Sequence, residues 1–558
     1  MRKLVLLTLM ATTLLAQNGP PAVTGSVSGR VFDADTNLPI VGVKVSAVPE
    51  DRRSDKSATT DSEGRYVIPN LPIGKRSIEV YDGNLGTSMT ARQWVTVSDN
   101  RNIQVDFHTR LFAQVSGRVL DDDGNPLEGI QVTANRKEYE DYTGGDRQSS
   151  RIGQVQLVPV SARALTDDQG RYVISTLPAG RQYWIVANRP RRDVVPISDS
   201  PADPQLRRRT LAATYYPNAN SIDAAASIRV HSQEVRNDVD IRMSKTESYC
   251  LEATLTEAGV PTGMQFLLVD KAVSSTRLPS VSLPRSFQSG SDGKIRLCDL
   301  YPGQYQLVAA RLSGAAQESI AAVDVTITNK DVRDLIVAAI PRTTVSGELV
   351  LDKQAIEGST PSIRVQTYPS PVRQFPPFPV LGPGSFSLDV VVGSSYIAAI
   401  SGLDSHSYVK DVQYGGSSIL YQPFVPSPGD AKLIVTIGSD AGSISAKVLS
   451  ANGEPVSGSA VLIVPVTART EPEVAVTFRA GLTDENGTHL ETGLRPGRYD
   501  IFAITDPPPS IVDRGDGLLI DRTPEAVGKI LSARSRGKQV DVRPGGAAAV
   551  LLVPFRMD

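Results

Sequence analysis

The feature that most narrows what this chain can fold into is a short block that occurs four times. It first runs Thr60-Asp61-Ser62-Glu63-Gly64-Arg65-Tyr66-Val67-Ile68 into Leu71-Pro72-Ile73-Gly74. It returns as Thr166-Asp167-Asp168-Gln169-Gly170-Arg171-Tyr172-Val173-Ile174 into Leu177-Pro178-Ala179-Gly180. Looser copies are Ser291-Asp292-Gly293-Lys294-Ile295 before Leu300-Tyr301-Pro302-Gly303, and Thr483-Asp484-Glu485-Asn486-Gly487 before Leu494-Arg495-Pro496-Gly497. Aspartate bonds its own backbone in a turn, and glycine supplies the positive φ that closes it. The aromatic or branched residue that follows opens a strand facing a core, and Pro-Gly ends that strand in a second turn. The block therefore encodes a hairpin followed by a corner.

Other pieces recur around it. Val27-Ser28-Gly29-Arg30-Val31 returns as Val115-Ser116-Gly117-Arg118-Val119 and, more loosely, as Val345-Ser346-Gly347-Glu348-Leu349. Each alternates apolar and polar residues, as a half-buried strand does. About ten residues on come turns at Leu38-Pro39 and Pro126-Leu127, with a related turn at Pro455-Val456-Ser457-Gly458. Together these blocks resemble the carboxypeptidase regulatory-like family, and Tyr408-Val409-Lys410-Asp411-Val412-Gln413-Tyr414-Gly415-Gly416 resembles another piece of long exported bacterial proteins of this type. The resemblance implies a transthyretin-like, Ig-like β-sandwich. It implies no peptidase activity, because the accessory domain of that family does not hold the catalytic zinc.

The expected fold is all-β: tandem sandwiches at 23–112, 113–246, 247–341, 342–437 and 438–558, stacked as a rod that presents its loops. The second carries polar stretches at 137–160 and 189–225 that read as loops. One short C-terminal helix is expected, with Thr523 as N-cap, Pro524 in the first turn, an apolar stripe of Val527, Ile530 and Leu531, and Gly537 as its stop. It is expected to pack over the end of the last sandwich.

Residues 1–16 read as a signal peptide, with Arg2 and Lys3 before the apolar run Leu4 to Leu15 and small Ala16 before Gln17. No cysteine follows the run, as a lipid-anchored start would need, and no later segment has the apolar length of a transmembrane anchor. The expected location is therefore periplasmic, outer-surface or extracellular. Export places Cys250 and Cys298 where disulfides persist. They lie near the two ends of the third unit in strand-like sequence, so a bridge between them is predicted, with two reduced core thiols as the alternative.

The search for chemistry finds no active site. There is no Gly-x-Ser-x-Gly elbow, His-Glu-x-x-His pair or phosphate-binding glycine loop, and His108, His231, His406 and His489 are isolated in sequence. Asp33, Asp35 and Asn37 match the first ligand positions of a calcium loop, but Leu38 and Lys44 stand where it needs Gly and Glu. No catalytic residue, metal or cofactor is assigned. A net charge of -2 provides no global attraction to nucleic acid. The basic clusters Arg189, Arg191, Arg192 and Arg207, Arg208, Arg209 read as a solvated loop. Trp184 and Trp94 are the candidate ligand-binding residues, since exposed indoles stack on sugar rings. Alternation turns Trp184 away from the face of Tyr183 and Ile185. The expected function is a non-catalytic exported interaction or scaffold protein with a protein or polysaccharide partner at the cell envelope. Carbohydrate binding and an accessory role in TonB-dependent uptake are the alternatives. The oligomeric state does not follow from the sequence.

Overall fold

The computed structural model describes residues 24–49, 56–82, 89–141, 151–189, 209–270, 287–313, 316–339, 342–352, 362–367, 384–391, 395–427, 429, 431–484, 486–505, 511–513, 518–520 and 523–557. The signal peptide and most of the basic loop lie outside them.

The repeated block folds alike in four places. Asp61 Oδ1 accepts the N–H groups of Glu63 and Arg65 at 2.9 and 2.8 Å. Asp167 does so for Gln169 and Arg171 at 3.0 and 2.8 Å, and Asp484 for Asn486 and Thr488 at 2.9 and 2.7 Å. In the third copy Gly290 takes the aspartate's place in the turn, and Asp292 bonds the Lys294 N–H at 3.1 Å. The closing glycines Gly64, Gly170, Gly293 and Gly487 have φ of 70°, 69°, 69° and 70°, a region costly to any residue with a Cβ. Each glycine carbonyl then accepts a first-strand N–H, from Val31, Val119, Leu255 and Val448 at 2.9, 2.8, 2.8 and 2.7 Å. The approach is close enough that a Cβ on any of the four would fall 2.2 to 2.7 Å from a first-strand carbonyl oxygen. The residue before each turn adds a second tie. Hydroxyls of Thr60, Thr166, Ser289 and Thr483 accept the N–H groups of Val43, Ile130, Met264 and Ser459 at 3.1, 2.8, 2.9 and 2.9 Å.

In the first two copies the tyrosine after the turn completes the device. Tyr66 and Tyr172 are buried, and their hydroxyls donate to the carbonyls of Val105 and Val239 at 2.7 and 2.6 Å. Burial pushes both phenols up, and Asp106 or Asp240 adds to it, so both stay protonated donors. Those carbonyls press onto Gly29 and Gly117, where a Cβ would lie 1.8 and 2.2 Å from them. The glycine of Val-Ser-Gly-Arg-Val is thus a seat for the last strand. The next residue on that strand accepts the following N–H, Arg30 to Asp106 and Arg118 to Asp240, both at 2.8 Å.

Among the described residues the strands form five two-sheet sandwiches. In the first, strand Thr24–Asp33 pairs with Arg65–Pro72 in one sheet, and Lys56–Thr59, Lys44–Pro49, Gly74–Tyr81 and Met89–Val97 form the other. Val27, Val31, Val45, Ile68, Ile78 and Val80 fill the space between. In the fourth sandwich the described residues of the second sheet are the two strands Ser362–Thr367 and Tyr396–Ser401, and the Phe386 ring takes the space beside Gly347. Cys250 and Cys298 are bridged inside the third.

Three features differ from the sequence reading. Gln131–Asp141 and Arg151–Leu165 pair as one long hairpin, which takes in much of the 137–160 stretch expected as a loop. A second helix, α1 (Glu471–Thr477), precedes the expected one, α2 (Pro524–Ala533). Thr470 and Glu473 form a capping box on α1, while Thr523 caps α2 as expected. The helices also cover a sheet rather than the end of the last sandwich. Strand Ala460–Pro465 is apolar on both faces: Val461 and Ile463 point into the sandwich core, and Ala460 and Leu462 meet Val474, Phe478, Val527 and Ile530 of the helical layer. A continuous apolar run is what a strand buried on both faces requires.

The sandwiches do not run as an open rod, because the fifth returns to the first two. Gln93 bonds Ser457 at 2.6 Å, Arg556 donates to the Ala34 carbonyl at 2.6 Å, and Arg229 pairs with Glu525 at 2.6 Å.

Gly170→Ala should therefore destabilise the second sandwich more than Gly124→Ala does. Gly124 shares a positive φ of 82° but has nothing within 4 Å of a Cβ. We expect about 1–2 kcal/mol for Gly124→Ala and at least about 1 kcal/mol more for Gly170→Ala from overpacking, read as denaturation midpoints. Equal shifts would show that the close approach to Val119 costs nothing. Replacing both cysteines with serine should cost the third sandwich about 2–4 kcal/mol, measured by urea unfolding without reductant, and an unchanged midpoint would contradict it.

Candidate functional site

Trp184 lies on strand Arg181–Asn188 between Tyr183 and Ile185, both buried in the second core. Alternation puts its indole on the opposite face, as the sequence indicates. There it packs, half-buried, on Val186, Tyr215 and Ala219 together with Ile222 and Ala225. The Lys137 ammonium stands 4.8 Å from the ring centroid. Trp94 is also half-buried, on strand Met89–Val97, with the Lys75 ammonium 5.0 Å from its ring centroid. A cation over an indole is attracted by the ring's negative face. A sugar stacking on that side would have to displace the lysine. The two indoles stand in different sandwiches and do not form one site.

The outer face of the first sandwich carries groups that the sequence reading did not single out. Glu79 is 2 % exposed, and its carboxylate pairs with Arg92 at 2.9 Å. Ser77 donates to it at 2.7 Å and the Tyr81 hydroxyl donates to it as well. Across the sheet Ser46 lies opposite Glu79, and Glu79 opposite Arg92. Alternation places all three on the face away from Val45, Ile78 and Val80, where an isolated sandwich would expose them. Hairpin 511–520 of the fifth sandwich, formed by Ile511–Asp513 and Leu518–Ile520, runs beside Met89–Val97. Removing one member of such a buried pair typically costs about 3–5 kcal/mol, so the pair needs its cover. No sequence signal marks it, because the strand pattern Ser-Ile-Glu-Val reads as an ordinary half-exposed strand.

The aspartates weighed as cation ligands are spent on turns. Asp33 Oδ1 accepts the N–H groups of Asp35 and Thr36, both at 3.0 Å. Burial pushes the Asp33 carboxyl up, but the Ser232 hydroxyl and those backbone bonds outweigh it and hold it below the usual range. Asp35 is paired with Arg110 at 2.7 Å. In the second sandwich the Lys245 ammonium lies 2.5 Å from Asp121, and with Asn125 it holds that carboxyl down to about 2. Among the described residues no group of three or more His, Cys, Asp or Glu side chains is placed to hold a metal ion.

The four histidines lie in four different sandwiches. His108 stacks on Phe32 at 5.1 Å, and the backbone of His231 is held by Glu234. His406 is exposed beside Asp404. His489 meets Glu491 at 3.3 Å, where both side chains are nearly buried. These two occupy the positions of Tyr66 and Ile68 in the first block, and Gly481 leaves the space that the imidazole fills.

Among the described residues no helix is long and apolar enough to cross a membrane. The chain is 27% identical over 117 residues to the TonB-dependent transporter Oar of Myxococcus xanthus, a match covering 21% of this chain and 11% of that protein. Among solved structures, a streptococcal ancillary pilin is 12% identical, with 57% of this chain and 99% of that one covered at a TM-score of 0.20. The minor pilin of Streptococcus agalactiae is 14% identical, with 41% of this chain and 97% of that one covered at a TM-score of 0.18. The family model of the carboxypeptidase regulatory-like domain matches residues 26–110. The first sandwich is thus similar to a carboxypeptidase regulatory-like domain.

Proposed function

We propose that the chain is an exported, non-catalytic interaction protein of the cell envelope, built of five domains at 23–112, 113–246, 247–341, 342–437 and 438–558. The observation that supports this best is the regulatory-like domain of residues 26–110 together with its turn device, which recurs in three further sandwiches. Such a protein works by geometry: bonded sandwiches set the spacing, and loops and outer faces make the contacts. The Leu111 N–H bonds Ser232 at 3.1 Å, tying the first sandwich to the second. Thr210 and Thr246 pair strands Arg209–Leu211 and Lys245–Glu247 where the second meets the third.

The similarity to a TonB-dependent transporter favours a second reading, an accessory role beside an uptake system. Sugar binding at Trp184 or Trp94 is a third, and rests on two half-buried outer-face indoles.

Expression in a Gram-negative host tests the export. The mature protein should be recovered outside the cytoplasm, beginning at Gln17 and oxidised at Cys250 and Cys298. Full-length protein held in the cytoplasm with both thiols free would contradict the reading. Glycan-array binding of the mature chain, beside Trp184→Ala and Trp94→Ala, separates the alternatives. The interaction reading predicts no glycan signal. Specific binding lost in one folded variant and kept in the other would replace it with carbohydrate recognition at that indole.

A further inference from the structure

The fifth sandwich is held to its neighbours by two kinds of contact. Toward the fourth the bonds run to main chain: the Ala441 N–H to the His406 carbonyl and the Gly493 N–H to the Ser405 carbonyl, both at 3.0 Å. The Arg495 guanidinium reaches the carbonyls of Val409 and Lys410 at 2.8 and 2.7 Å and lies over the Tyr408 ring. Toward the first two sandwiches the hydrogen bonds and ion pair of the described residues come from side chains. Gln93 meets Ser457 side chain to side chain, Arg556 reaches the Ala34 carbonyl, and Arg229 spans from the Gly180 carbonyl to Glu525. The side chains of Arg229 and Glu525 are 44% and 38% exposed. An exposed pair of this kind contributes roughly 0–1 kcal/mol and is screened by salt. Contacts between domains of one chain generally resemble transient interfaces.

We propose that the fourth and fifth sandwiches move together as a clasp, which closes on the first two through these polar contacts and detaches without unfolding. When closed, α1 lies beside Arg151–Leu165, α2 beside Gln131–Asp141, and hairpin 511–520 beside Met89–Val97. Opening would separate Ile511–Asp513 from the strand that carries Arg92. The long hairpin of the second sandwich then has a use that its polar sequence does not suggest, as the strap that receives the two helices.

The test is a disulfide trap in the full chain, Gln93→Cys with Ser457→Cys, with the native bridge left in place. At low salt the engineered bridge should form to near completion. In about 1 M salt, where the Debye length is about 3 Å, its rate should fall about threefold or more, as loss of an exposed ion pair allows. Arg229→Glu should slow it similarly, and Arg229→Glu with Glu525→Arg should restore it. Failure to bridge at low salt would overturn the closed form. A rate indifferent to salt and to both charge variants would overturn the detachable clasp. Small-angle scattering of the unsubstituted chain gives an independent reading: its radius of gyration should grow between low and high salt, and a constant value would count against the clasp.

Discussion

Each of four sandwiches takes its register from one bond, between the carbonyl of a turn glycine and an N–H of the first strand. The bond fixes how the hairpin's second strand lies on the first, and a one-residue slip would turn every core side chain to the outside. It needs a glycine twice over, for the positive φ and for the close approach of two backbones. It also needs the preceding aspartate, or Gly290 in the third copy, to shape the turn before the strand begins. Where the tyrosine follows, its hydroxyl carries the same registration through the core to the last strand, which rests on Gly29 or Gly117. The fourth sandwich packs the Phe386 ring beside Gly347. This device positions strands.

What the sandwiches present depends on what covers their outer faces. In the fifth, the helices make a third layer, so the sheet beneath is apolar on both sides. In the first, a glutamate and an arginine are buried on the outer face beside a hairpin supplied by the other end of the chain. In the second, Trp184 closes over a small apolar patch next to Tyr215. An outer face covered by the chain itself is a contact already made, and the return of the fifth sandwich to the first two makes those contacts.

Local chemistry was legible in the sequence and long-range covering was not. Asp61, Gly64 and Tyr66 announce their roles because a turn, a positive φ and a core aromatic are each set within a few residues. The position of Trp184 follows from strand alternation, and α2 follows from its cap and apolar stripe. Helix α1 was missed although Thr470 and Glu473 spell a capping box, because its seven residues are too few to show a period. The stretch 137–160 reads as loop because of its polar composition, although much of it pairs in the hairpin of Gln131–Asp141 and Arg151–Leu165. The Arg229–Glu525 bridge joins residues 296 apart in sequence, and no local pattern encodes such a meeting. The rod expectation failed for the same reason.

Native-state hydrogen exchange tests the central role of the turn most directly. If the turn bond sets the register, the amides of Val31, Val119, Leu255 and Val448 should be among the slowest to exchange in their sandwiches, opening only when the whole sandwich unfolds. Exchange of these four amides at the rate of surface loops, while the rest of the first strand stays protected, would show that the turn decorates the sandwich and does not register it.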